Sequence, residues 1–273
     1  MTAGVVTYET AREGASAVRE DPSLADASAR LPPGTYTTFR TYGGNGVVRL
    51  RAHLRRLEES VSLQGGVGSL DEGRLRASLA AALRDTGHPE SRVRLTFSPP
   101  RLFISVERFT PPPRSAYERG VRCVTLGVHR ENPHAKDTRF IATALDAYRR
   151  LPAGVEEGLL IAADGSILEG LSSSFFAVRK GVLHSEDERA LRGITRALVI
   201  EVAGARMPVS GRAVRTSELP RVSEAFITSV SREVLPVVEI DGDPVGDGRV
   251  GPHTRGIAAG FAGLVRREVE TLG

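Results

Sequence analysis

What most constrains the fold is the way the spacing of apolar residues changes along the chain. Val93, Leu95 and Phe97 alternate with Arg92, Arg94 and Thr96, the period of a half-buried strand, and LFISVERF supplies the expected partner. Leu50, Leu54, Leu57 and Val61 recur instead at helical spacing. Leu75, Leu79 and Leu83 repeat that pattern, and Gly87 follows as a helix stop. The lead-in, residues 1–33, is mixed, with one strand expected around Val5 to Tyr8. Residues 34–50 read as a hairpin turning at Gly43–Gly46.

Pro111-Pro112-Pro113-Arg114-Ser115 is the strongest linker signal and sets an expected boundary between a domain over residues 1–113 and one over 114–273. Beyond it, VRCVTLGV predicts a strand, HRENPHAK a loop, and 138–150 a helix. Two hairpins are expected to turn at Asp164-Gly165 and Lys180-Gly181. A helix is expected from Gly193 to about Gly204, then the strand AFITSV, the turn-bearing strand VLPVVEIDGDPV, and a final helix over about 253–271. The alternation is that of an α+β protein in two lobes.

At 273 residues the chain buries a substantial core. No apolar run approaches membrane-helix length, and no basic segment followed by an apolar one opens the N-terminus, so a cytoplasmic protein without membrane association is expected. The net charge of +4 is spread over interspersed arginines and acids, which argues against a nucleic-acid partner. The single cysteine, Cys123, reads as a small buried strand residue, and no Cys/His cluster has metal-ligand spacing.

Lysine is the informative count. Of 37 basic residues only Lys136 and Lys180 are lysines. Arginine does not deprotonate to act as a base or form an imine, whereas lysine does. Lys180 stands at an expected hairpin tip; Lys136 follows a proline-bearing loop and precedes a helix. Glu169 ends a strand beside Gly170 and Ser172–Ser174, fitting either a partner for a ring nitrogen or a turn residue. Gly193-Ile194-Thr195-Arg196 opens a helix, a place suited to phosphate and equally to an ordinary cap. Thr228–Ser231 reads as a second phosphate clasp or a plain loop, and an arginine of His53–Leu57 as a phosphate partner or a solvated helix residue.

The order of these elements resembles the class IV aminotransferase family, the fold-type IV pyridoxal 5'-phosphate (PLP) enzymes that include branched-chain and D-amino-acid aminotransferases and aminodeoxychorismate lyases. The resemblance runs from Gly34–Arg40 through His53–Leu57, Lys136, Asp164–Gly170, Ser172–Phe176 and Gly193–Arg196 to Thr228–Val237. It implies a small N-terminal α/β lobe and a larger C-terminal α/β lobe with a barrel-like sheet, the latter carrying the lysine, and a homodimer. It implies Lys136 as the Schiff-base lysine and proton carrier, and Glu169 as the carboxylate facing the pyridine nitrogen. Arg56, Ser174, Ile194, Thr195, Ser229 and Val230 would complete the cofactor site. Tyr36, Thr38, Arg40, Arg94 and Ser231 would meet substrate; for Arg94 a surface position on an alternating strand is weighed equally.

The implied activity moves an amino group between an amino acid or amine and a 2-oxo acid. Aminodeoxychorismate lyase activity and a non-catalytic protein keeping the fold are the alternatives. Ile141 stands where branched-chain enzymes carry a tyrosine, Ser174 where the family commonly has Asn, and Val230 where the phosphate turn usually has a polar side chain. Thr37 replaces a frequent Glu.

Overall fold

The computed structural model describes residues 4–11 and 14–272, in two compact units. The first unit holds the residues up to Thr110, Ala135–Thr143, and the C-terminal segment from Glu268. The second holds Pro111–His134 and Ala144–Arg267. The division at Thr110 falls at the proline run. Lys136, however, packs with the first unit and not with the lobe expected to carry it.

In the first unit the chain runs through β1 (Val5–Ala11), β2 (Gly14–Asp21), α1 (Leu24–Arg30), β3 (Thr35–Arg40), β4 (Gly46–Val48), α2 (Leu50–Leu63), α3 (Glu72–Thr86), β5 (Ser91–Ser98) and β6 (Arg101–Arg108). Five of these strands form an antiparallel sheet in the order β2-β1-β6-β5-β3. The apolar stripes found in the sequence account for its core: Leu54, Leu57, Leu79 and Leu83 of the helices pack with Val93, Leu95 and Phe97. Asp71 caps the start of α3 and Gly87, with φ 61°, closes it. Leu24 and Ala27 of α1 form a separate cluster with Val5.

The hairpin expected over 34–50 does not form. Tyr42 and Gly46 exchange both backbone hydrogen bonds, at 2.8 and 2.9 Å, so the turn is real. The strands then part: β3 pairs with β5, and β4 pairs with the C-terminal strand Val269–Thr271. The physical reason lies in burial. Residues Thr35–Arg40 alternate between buried and half-buried, as a strand with one covered face does, whereas Gly46–Val48 are all buried and need cover on both sides.

In the second unit follow α4 (Arg114–Arg119), β7 (Val121–Leu126), α5 (Arg139–Arg149, begun in the first unit), β8 (Val155–Ile161), β9 (Ile167–Gly170), β10 (Ser174–Arg179), β11 (Val182–His184), α6 (Ile194–Gly204), β12 (Val209–Ser210), β13 (Glu224–Ser229), β14 (Glu233–Ile240), β15 (Asp243–Pro244) and α7 (Pro252–Glu268). The strands form one nine-stranded sheet in the order β12-β11-β10-β13-β14-β7-β8-β9, with β15 on β14. Strands β9 and β10 stand far apart in that order, yet only Leu171–Ser173 join them in sequence. A three-residue link forces the sheet to curl until these strands meet, which gives the barrel-like form. Phe175, Ile227, Leu235 and Val237 fill one face of the sheet. Phe176 and Phe226, on the opposite face by strand alternation, stack at 4.9 Å.

Both expected turns are present. Gly165 has φ 77°, and Lys180-Gly181 have φ 51° and 73°, the left-handed pair of a tight hairpin. Cys123 is buried and free, as expected, with burial pushing its thiol far up. Among the described residues no helix is long and apolar enough to cross a membrane.

Candidate active site

Each unit gathers part of the residues singled out above. In the first unit, Lys136 is tied into the sheet edge by its backbone: its carbonyl accepts from the Tyr36 N–H at 2.9 Å, and its N–H donates to Ser60 Oγ at 3.2 Å. Its Nζ lies 4.9 Å from the centre of the Tyr36 ring. The opposite face of β3 carries Thr37, whose hydroxyl accepts from the Arg56 guanidinium and meets His53 Nδ1 at 2.7 Å. A guanidinium only donates, so the hydroxyl is the acceptor in its bond with Arg56, and its contact with Nδ1 runs in whichever direction the imidazole tautomer sets.

Arg56 is buried, its Nε has no hydrogen-bond partner, and no carboxylate pairs with it among the described residues. Burial lowers its pKa to about 10, against the opposing pull of Tyr36 and Glu59. A buried cation without a counter-anion is unfavourable, so an anionic ligand group beside it would be strongly held.

His53 is held well below its ordinary pKa, first by burial and then by the positive charges of Arg56 and Lys136. Its folded value is depressed, so it contributes stability that is complete above the unfolded value of 6.5 and is lost as pH falls from there toward the folded value. The limiting slope for one proton is about 1.4 kcal/mol per pH unit. His53→Gln is therefore expected to lose less stability than the wild type between about pH 7.5 and about pH 5.5 in chemical denaturation. Equal losses in the two proteins would contradict the buried, neutral imidazole.

Tyr36 and Thr38 share the face of β3 that meets Arg94. The Arg94 guanidinium lies 5.0 Å from the Tyr36 ring centre and donates to Leu24 O at 3.0 Å, Ser28 Oγ at 2.7 Å and Thr38 Oγ1 at 3.3 Å. No carboxylate pairs with it among the described residues, and burial lowers its pKa. Arg40 is different. It is ion-paired with Glu90 and stacked over Tyr42 and Phe109, at 4.5 and 4.1 Å, so the substrate contact expected of it is not available in this arrangement.

In the second unit Glu169 is buried at the end of β9. Its carboxylate pairs with Arg130 at 3.0 Å and accepts from the Leu191 N–H at 3.3 Å. Leu191 lies two residues before Gly193, which caps α6 without any side-chain hydrogen bond. The first turn of α6, with Ile194 half-buried and Thr195 buried, thus offers backbone N–H groups free of a side-chain cap. Ser174 starts β10 beside it: a Cβ built on Gly193 would lie 3.2 Å from Ser174 Oγ. Ser174 is paired in register with Thr228, whose buried hydroxyl has no hydrogen-bond partner. Ser229, Val230 and Ser231 continue into the turn before β14 and are half-buried.

Sequence reasoning missed Arg130 as a site residue. Arg130 stood in the loop leading to Lys136, where an arginine gives no sign of its acidic partner. Ile141 lies half-buried on α5, and the nearest downstream tyrosine, Tyr148, is engaged elsewhere, with Glu157.

The donor sets fit a phosphorylated pyridine cofactor. One unit has a buried arginine without a counter-anion near a lysine, and the other has an uncapped helix start, an unpartnered hydroxyl and a buried carboxylate. Fold and donors together define a fold-type IV protein. The "Amino-transferase class IV" profile matches residues 34–240, and the chain belongs to that family. It is 26% identical over 260 residues to the branched-chain-amino-acid aminotransferase of Escherichia coli (strain K12), covering 85% of this chain and 83% of that protein. It is 29% identical over 162 residues to the Aquifex aeolicus protein named "Probable branched-chain-amino-acid aminotransferase". That match takes in 56% of this chain and spans about half, 52%, of that relative's length. The crystal structure of the T.th. branched-chain amino acid aminotransferase with pyridoxamine 5'-phosphate superposes with a TM-score of 0.81 at 20% identity, over 100% of this chain and 99% of that one. The family resemblance and the α+β, two-lobed fold read from the sequence are borne out.

Proposed function

We propose that this chain is a PLP-dependent aminotransferase, moving an amino group between an amino acid or amine and a 2-oxo acid. The observation that carries the reading is the buried Arg56 guanidinium, held without a counter-anion in the unit that also holds Lys136. The family and its branched-chain relatives support the same chemistry.

When bound, PLP supplies an aldehyde that condenses with amines and a protonated ring that accepts the electron pair released at Cα. Lys136 holds the cofactor and carries the proton to and from the substrate Cα. Glu169, kept in place by Arg130 and the Leu191 N–H, would keep the ring nitrogen protonated with its negative charge. In the first unit Arg56 would be the phosphate partner; in the second the N–H groups at the start of α6, with Ser174, Thr195, Ser229 and Val230, would offer the donors for an anion. Arg94, lying over the ring of Tyr36, pairs with a substrate carboxylate, and Thr38 and Ser231 complete that pocket. A homodimer belongs to the proposal on the strength of the family resemblance.

The test is to mix the PLP-loaded protein with single amino acids of both enantiomers and follow conversion of the aldehyde form to pyridoxamine phosphate by absorbance. Conversion by at least one donor, reversed by a 2-oxo acid, is expected. If none converts it and aminodeoxychorismate yields pyruvate, the lyase reading replaces this one. A protein that binds no PLP would return the reading to a fold without catalysis, against which the buried Arg56 and Glu169 argue.

A further inference from the structure

A second group of buried charges lies in the second unit, among residues to which no role has been given. Glu157 on β8 is fully buried. One carboxylate oxygen accepts from Tyr148 OH at 2.6 Å and from the Gly158 N–H at 3.1 Å. The other accepts from Ser173 Oγ at 2.9 Å, Ser172 Oγ at 3.3 Å and the Arg232 guanidinium at 3.4 Å. A Cβ at Gly170 would collide with Ser173 Oγ and with the Glu157 side chain, so the chain leaves that volume to this carboxylate.

Arg232 is held at every polar atom. Its Nε donates to Glu156 at 2.8 Å, and its two terminal nitrogens reach Ser172 Oγ at 3.0 Å, Glu157, and Tyr148 OH at 3.5 Å. Its backbone N–H donates to Ser229 Oγ at 3.2 Å and its carbonyl accepts from Tyr117 OH at 3.0 Å. Burial works against its charge, but Glu157, Tyr148 and Glu156 outweigh that and hold it firmly protonated. The next residue, Glu233, has φ 52°, a left-handed conformation that a residue with a side chain adopts only where its surroundings impose it.

The placement of this pair is the point. Arg232 closes the Ser229–Ser231 turn, and the hydroxyls that Glu157 binds belong to the Ser172–Ser174 turn that opens β10. Ser174 and Thr228 are cross-strand partners, so the two turns lie side by side. We propose that Glu157 and Arg232 are positioning residues that lock these two turns together and so set the phosphate grip of Ser229 and Val230. This rests on the assignment of that turn to phosphate.

The experiment compares pyridoxal 5'-phosphate with pyridoxal, which lacks the phosphate, by equilibrium titration of wild type, Arg232→Met and Glu157→Gln, with thermal unfolding of each. Arg232→Met is expected to weaken binding of the phosphorylated compound by about tenfold or more while pyridoxal changes by less than about twofold. Glu157→Gln keeps the shape and is expected to change the ratio of the two affinities in the same direction, which retains the test if the arginine variant does not fold. Equal weakening for both compounds reduces the pair to general scaffolding, and unchanged phosphate selectivity in both variants overturns the proposal. A wild type without any preference for the phosphorylated compound fails at the phosphate assignment itself, and the proposal falls with it.

Discussion

Lys136→Ala is expected to lower the amino-transfer rate by about 10⁴-fold, while leaving the protein folded. The amine has two tasks, holding the aldehyde and carrying the proton, and no neighbouring residue type replaces both. Lys180 does not substitute, since it is exposed at a hairpin tip with a left-handed backbone. The Lys136 backbone bonds to Tyr36 and Ser60 do not depend on its side chain, so the variant keeps its local structure. Steady-state rates with the best amino donor, alongside circular dichroism, measure this. A folded variant retaining more than about one part in a hundred of the wild-type rate would show that another group does the chemistry.

Arg56→Met gives the second large effect, and its two halves have opposite signs. The guanidinium is buried beside Thr37 and His53 without a carboxylate, so the cofactor-free protein bears the cost of an uncompensated charge. Replacing it with an apolar side chain of similar length is expected to raise the stability of the cofactor-free protein by about 1 kcal/mol. The same change removes charge-assisted hydrogen bonds to phosphate, worth about 1.5–3 kcal/mol, and is expected to weaken PLP binding by about 10- to 100-fold. Denaturant unfolding without cofactor and equilibrium titration with it measure the two halves. An affinity within about threefold of wild type would remove Arg56 from the phosphate site.

Much of this was legible in the sequence where local pattern governs. The stripes Leu50–Val61 and Leu75–Leu83 became α2 and α3, the alternation around Val93–Phe97 became β5, and glycine placed both hairpin turns. Pairing across long separations was not legible. The turn at Gly43–Gly46 looks like a hairpin because turn chemistry is local, while the choice of β5 for β3 and of Val269–Thr271 for β4 is set by what each strand must cover. The β2 and α1 elements left little trace. Segment Gly14–Asp21 has no apolar alternation, and α1 is only seven residues long.

The site divides in the same way. Residue types with few chemical alternatives, such as Lys136 and Glu169, stand out from spacing and resemblance. Arginine does not. Arg40, Arg94, Arg130 and Arg232 look alike in a chain so rich in arginine, and only their partners separate them. Glu90 engages Arg40, Glu169 engages Arg130, Glu157 engages Arg232, and Arg94 is left with neutral acceptors and an aromatic face.

The most direct test of the central claim is to add PLP, reduce with borohydride, digest, and locate the phosphopyridoxyl group by peptide mass analysis. The label is predicted on Lys136 at one group per chain. A label on Lys180 or on the N-terminal amine, with Lys136 unmodified, would contradict the whole functional account.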